Sequence, residues 1–129
     1  MAPEDPVRLL FDAATEGMRK IGCQPISPQS IAESLERQGF INIQCVVKRA
    51  PISPWALDGN LRDVGILMKT NITALIGALA AKPLAALDIA AKDRKSLATY
   101  ARRSLADDSI HRFVNCCFVY GQKPGSDDE

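Results

Sequence analysis

The sequence predicts an α/β fold with about four to five helices and two strands, and three stretches carry that prediction. Val7, Leu10, Phe11, Ala14, Met18 and Ile21 recur at steps of three and four, which aligns them on one face of a helix. Over residues 41–48 the period falls to two: Ile41, Ile43, Cys45 and Val47 alternate with Asn42, Gln44, Val46 and Lys48, as in a strand with one buried and one wetter face. Residues 113–120 contain one polar side chain, Asn115, in a near-continuous apolar run, the pattern of a strand covered on both faces.

Each remaining element has its own local signal. Gly22 is placed to end the first helix, because glycine takes the left-handed closing conformation without a Cβ clash. Ser27 and Pro28 form an N-cap and first-turn pair for a short second helix, with Ile31, Ala32 and Leu35 as its buried stripe and Gly39 as its stop. Pro51, Pro54 and Gly59 oppose regular structure over residues 49–60, so an extended loop is expected there, with Trp55 as its one large anchor. Asn60 can cap a third helix on which Leu61, Val64, Met68, Ile72, Leu75, Ile76 and Leu79 share a face until Pro83 interrupts it. A last helix over residues 91–107 places Leu97, Ala101 and Leu105 inward and Lys92, Arg94, Arg102 and Arg103 outward.

With 129 residues, 47% of them hydrophobic and 24% charged, the chain has the size and composition of one globular domain. That domain is expected over residues 1–124, with a frayed tail at 125–129. Sixteen basic residues against fifteen acidic ones leave a formal charge of +1 and no long basic stripe, which argues against a nucleic-acid partner. Glu4 and Asp5 stand where a secretory leader needs a basic segment, so residence in the cytoplasm or nucleus is expected. The longest apolar run, residues 72–81, contains Thr73 and Gly77 and falls short of the roughly 20 residues that span a bilayer, so no membrane span or membrane partner is expected. Cys23, Cys45, Cys116 and Cys117 include no Cys-x-x-Cys pair; they read as buried thiols, and no metal site is expected.

One combination of segments is more specific. Gln38-Gly39-Phe40 precedes the first strand, Pro51-Ile52-Ser53-Pro54-Trp55 follows it, Ile110-His111-Arg112-Phe113 leads into the last strand, and Tyr120-Gly121-Gln122-Lys123-Pro124 closes it. Together they resemble the carboxy-terminal half of class I S-adenosylmethionine-dependent methyltransferases, and more narrowly the fungal LaeA-type group of secondary metabolism, over roughly residues 5–124. The resemblance implies a partial Rossmann-like methyltransferase fold with two antiparallel carboxy-terminal strands, and helices between them that cover the substrate. In that family the cofactor is held by a Gly-rich loop after the first strand and an acidic residue ending the second, both upstream of the matched segments. None of the eight glycines here forms a Gly-x-Gly, and no strand, glycine loop and helix unit can be drawn. No cofactor is therefore expected, nor a self-sufficient methyltransferase. In the complete fold the last strand lies between two neighbours, one of which has no counterpart here. Residues 113–120 carry no proline or charge to blunt an exposed edge, so this strand is expected to pair with a second copy, as a homodimer, or with a partner methyltransferase chain.

His111 is the only histidine and the natural general acid or base near neutral pH. Asp107 and Asp108 precede it by four and three residues, where a continuing helix would let either carboxylate orient the imidazole; a helix-end histidine on the carbonyl dipole is the ordinary alternative. Trp55 is a candidate wall for an aromatic or polyketide-like substrate, or a loop anchor. Met68, on the third helix's apolar stripe, and Tyr120 are further substrate-binding candidates, with core packing as the bland reading. Lys92, Arg94, Lys95, Arg102 and Arg103 read as a solvated helix face. The functional expectation is a truncated methyltransferase-like protein of fungal secondary metabolism that acts on a small apolar or aromatic metabolite without a cofactor, in a cyclisation or isomerisation where shape and one proton shuttle suffice. The alternative is a non-catalytic interaction module, or a fragment of an ordinary methyltransferase.

Overall fold

The computed structural model describes residues 3–125, within which the expected α/β composition resolves into five helices and two strands. In chain order these are α1 (Pro6–Lys20), α2 (Pro28–Arg37), β1 (Ile41–Pro51), α3 (Gly59–Leu79), α4 (Lys82–Ala85), α5 (Ala91–Ala106) and β2 (Phe113–Gln122). β1 and β2 form a two-stranded antiparallel sheet. The chain divides into two compact units, one of residues 3–25 and 50–114, the other of 26–49 and 115–125. The last four residues of the expected tail, 126–129, lie outside the described residues.

The first unit is a helical cluster. α1 begins where the Asp5 carboxylate accepts the Val7 amide at 2.8 Å, and it closes through Gly22 at a φ of 89°. Its buried Val7, Leu10 and Ala14 pack against α4 and α5. Ile52, Ile72, Ile76, Leu84, Ala98, Ala101 and Leu105 complete that core. Two helical glycines permit contacts that no side chain would allow: a Cβ on Gly17 would lie 1.7 Å from the Pro83 carbonyl oxygen, and one on Gly65 would lie 2.1 Å from that of Ser53.

Three sequence expectations are corrected here. Asp58, not Asn60, caps α3, accepting the Leu61 amide at 2.9 Å. The buried stripe of α3 is narrower than the apolar stripe: Gly65, Ile72 and Ile76 are buried and Met68 and Leu79 half-buried, whereas Leu61, Val64 and Leu75 face solvent. On α5 the inward residue is Ala98 rather than Leu97, because α5 packs on α1 and α3 along the line Ala98, Ala101 and Leu105, where two alanines admit close approach. By length and composition alone, Gly59–Ala85 is also long and apolar enough to cross a membrane, a property hidden when only its longest unbroken apolar run is counted.

The second unit contains α2 and most of both strands. Ser27 and Ser30 form a reciprocal capping box, each hydroxyl accepting the other's amide at 3.1 and 3.2 Å, and Gly39 closes α2 at a φ of 91°. Asn42 Nδ2 donates to Gln122 Oε1 at 2.9 Å. The expected alternation of β1 loses phase after Ile43: Gln44 and Cys45 both face solvent and Val46 is half-buried in place of Val47. Asn42, at a φ of 51°, bends the start of this strand. Cys45 is exposed as a result, Cys23 and Cys117 are exposed as well, and Cys116 alone is half-shielded, so the expectation of buried thiols does not hold. β1 also continues through Pro51, into the stretch expected as loop. No residue of α2 is buried, and the side chains of residues 41–49 and 115–122 are at most half-buried.

Within the first unit the largest buried polar side chain is Arg112, at 1% exposure. Its Nε donates to Asp5 Oδ2 at 2.8 Å, Nη1 to the Ser104 carbonyl at 2.9 Å, and Nη2 to the Ser104 hydroxyl. Removing one partner of such a pair strands the other charge in the core. Arg112→Met is expected to lower the unfolding free energy by about 3–5 kcal/mol in urea titrations, and Asp5→Asn by a similar amount. The double replacement should cost less than the two single losses added together.

Candidate functional site

The turn after β1 and the approach to β2 meet through one carbonyl. The Arg112 carbonyl accepts the Ile52 amide at 3.1 Å and the Trp55 Nε1–H at 2.7 Å, while the Trp55 amide donates to the Ser53 carbonyl at 2.8 Å. These bonds hold the half-buried indole, and the imidazole of His111 lies against it. Trp55 and His111 stack with centroids 4.9 Å apart and planes 10° from parallel. The two residues selected separately in the sequence therefore form one aromatic pair within the first unit, its indole half-buried and its imidazole exposed.

The carboxylates expected to orient His111 do not do so. Asp107 caps the carboxy terminus of α5 with extended backbone, which ends the helical spacing that would have carried it to the imidazole. Its Oδ1 accepts the Ser109 amide at 3.0 Å and the Ser109 hydroxyl at 2.6 Å. Those bonds, the hydroxyl first, hold the Asp107 carboxyl below its ordinary value of 3.8. Asp108 pairs with Lys69 at 2.7 Å. His111 instead stacks on the Trp55 ring, an arrangement suited to presenting an aromatic surface; a directed proton transfer would need a polar partner that holds one tautomer.

Met68 is half-buried against the first unit's core, and Tyr120 lies in the second unit on β2 with 54% of its surface exposed. Two open grooves lie elsewhere. One of about 400 Å³ runs along α5 between Lys92, Lys95, Tyr100 and Arg103, so the basic face does border a concavity; the other, of about 380 Å³, follows α2 past Ile26, Ile31 and Leu35. Among the described residues no three His, Cys, Asp or Glu side chains converge on a possible metal position. Sequence reasoning passed over Arg112, which positions the whole site; the available signal was an arginine directly before an apolar strand, where a buried cation needs an acidic partner.

No protein-family model matches this chain, and no solved structure matches it. Over 101 residues, 78% of the chain, it is 28% identical to the secondary metabolism regulator laeA of Fusarium oxysporum f. sp. lycopersici. Over an equal length it is 27% identical to the secondary metabolism regulator laeA of Gibberella zeae. The matched region covers 32% of each of these proteins, so the chain spans about a third of the length of the curated relatives it matches.

Trp55 is the only tryptophan, so its fluorescence reports on this pair alone. His111→Ala should uncover one indole face and shift the emission to longer wavelength with an unchanged far-ultraviolet circular dichroism spectrum; unaltered emission would mean that the rings do not stack in solution. Asp107 supplies a second check. Because its folded value lies below the unfolded one, its contribution to stability is fully present above the unfolded value and is lost as the pH falls through the folded value. Ser109→Ala should move the Asp107 carboxyl titration, followed by carbon NMR, back up toward 3.8.

Proposed function

We propose that this chain is an interaction module in the regulation of fungal secondary metabolism, built on a methyltransferase-like segment and transferring no methyl group by itself. The observation that carries this reading is the similarity, over 78% of the chain, to proteins named as secondary metabolism regulators. Two features support the non-catalytic form. The sequence contains no glycine loop for S-adenosylmethionine, and His111 lacks a carboxylate partner because Asp107 and Asp108 are engaged elsewhere. The partner that fits best is a separate methyltransferase chain. A second reading, cofactor-independent conversion of a small apolar or aromatic metabolite, draws on the stacked Trp55–His111 pair, half-buried at the indole and exposed at the imidazole, as a recognition surface.

The deciding experiment replaces the gene in its native host and reads the secondary-metabolite profile. Deletion should change that profile, His111→Ala should restore it, and Trp55→Ala, which removes the bond to the Arg112 carbonyl, should not. Loss of function in both variants, accompanied by metabolite turnover by the purified wild-type chain, would favour the catalytic reading. Calorimetry of the purified chain with S-adenosylmethionine should show no saturable binding up to about 1 mM, roughly 4 kcal/mol. Tight stoichiometric binding would overturn the proposal that the chain cannot use this cofactor.

A further inference from the structure

The sheet of β1 and β2 brings two of the four cysteines onto one face. Asn42 Nδ2 donates to Gln122 Oε1 at one end of the antiparallel pair, and the Ile52 amide donates to the Arg112 carbonyl at the other. The interval between those contacts is ten residues on each strand, so one register carries through. Ile43 accordingly lies across from Gly121, where an added Cβ would stand 3.3 Å from Ile43 Cγ1. The same register sets Cys45 across from Val119 and Val47 across from Cys117. Because side chains alternate along a strand, these four share a face, and Cys45 and Cys117 are diagonal neighbours on it. Both thiols are exposed and free. Cys116, next in the chain, belongs to the opposite face.

We infer that Cys45 and Cys117 together form a two-thiolate site for a soft, two-coordinate cation, copper(I). The spacing selects against the simpler fate of a cysteine pair. Diagonal partners stand roughly 7–8 Å apart, their Cβ atoms somewhat nearer. A disulfide needs Cβ atoms about 3.5–4.5 Å apart, closer than a diagonal pair stands. One bridging atom closes the difference. At metal–sulfur distances of about 2.3 Å, a two-coordinate ion holds its sulfurs about 4.6 Å apart, within reach once both Cβ–Sγ bonds lean across the strands. The donor set then chooses the ion. Structural zinc asks for four ligands, and among the described residues no three His, Cys, Asp or Glu side chains converge. Thiolate sulfur favours copper(I), which two such donors satisfy. On binding, each thiol releases its proton to solvent and two copper–sulfur bonds form, with no change of oxidation state. Val47 and Val119, which flank the pair, carry no side-chain oxygen or nitrogen to compete for the ion. The site does not depend on the regulatory reading given above.

Titration of the full chain, reduced and free of oxygen, against the copper(I) complex of bicinchoninate tests this. The wild type should withdraw one copper(I) per chain, and X-ray absorption of the loaded protein should show two sulfur neighbours. Cys45→Ser and Cys117→Ser each replace an exposed side chain, so the fold should persist by circular dichroism while copper affinity falls at least about a hundredfold, the upper end of what losing a mere supporting residue around a metal ligand costs. Cys23→Ser and Cys116→Ser should leave the affinity unchanged, and excess zinc(II) should displace none of the copper. A wild-type chain that withdraws no copper overturns the proposal. So does full affinity in either Cys45→Ser or Cys117→Ser, a loss on Cys116→Ser, which would place the metal at the adjacent pair, or a loaded protein that sediments as a dimer with one copper between two chains.

Discussion

Taking the Arg112 guanidinium out of water costs several kcal/mol, and the fold offsets that cost with a carboxylate, a carbonyl and a hydroxyl arranged around it. Much of the first unit follows from meeting those requirements. The carboxylate is Asp5, whose other oxygen caps α1, so the ion pair and the start of that helix are one device. The carbonyl and hydroxyl both belong to Ser104, in the last turn of α5, which secures the end of that helix. The backbone of the same arginine then accepts from Ile52 and Trp55, so the loop after β1 takes its position from the residue that holds α1 and α5 together.

What could be read from the sequence was what local chemistry decides. Ser27, Gly22 and Gly39 act within a few residues of themselves, and all three occupy the cap or closing positions expected of them. The two-residue period of β1 was legible only to Ile43, since the left-handed Asn42 and the doubled solvent-facing pair are a backbone distortion that hydrophobicity does not encode. The apolar width of α3 overstated its buried width because hydrophobicity records what a face would prefer to touch, while the neighbouring helices determine how much is covered. His111 and Trp55 were each visible as residue types with uncommon chemistry. Their stacking was not, because it depends on a hydrogen bond from Trp55 to a residue 57 positions away.

The two units differ in how they are held. The first has a continuous apolar core and a buried ion pair, whereas the second has a well-capped helix and a short sheet without a single buried side chain among its described residues. A two-stranded sheet is marginal in water unless a third strand or a helix covers its apolar face. The first unit holds the aromatic pair on a continuous core, whereas the second has apolar side chains such as Phe118 and Val47 left to bury.

The partners in the central ion pair are 107 residues apart, and that separation governs how the chain is made. Asp5 leaves the ribosome 107 residues ahead of Arg112, so α1 must wait for that length of chain before its anchor arrives. Throughout that interval the apolar face of Val7, Leu10 and Ala14 has no α4 or α5 to cover it. Closing a loop of this length also places the step among the slow ones in folding, because the entropy loss precedes the contact that compensates it. Until that contact forms, the uncovered face of α1 is a surface on which the chain can associate wrongly, so the long separation exposes folding to a hazard that the finished structure no longer shows.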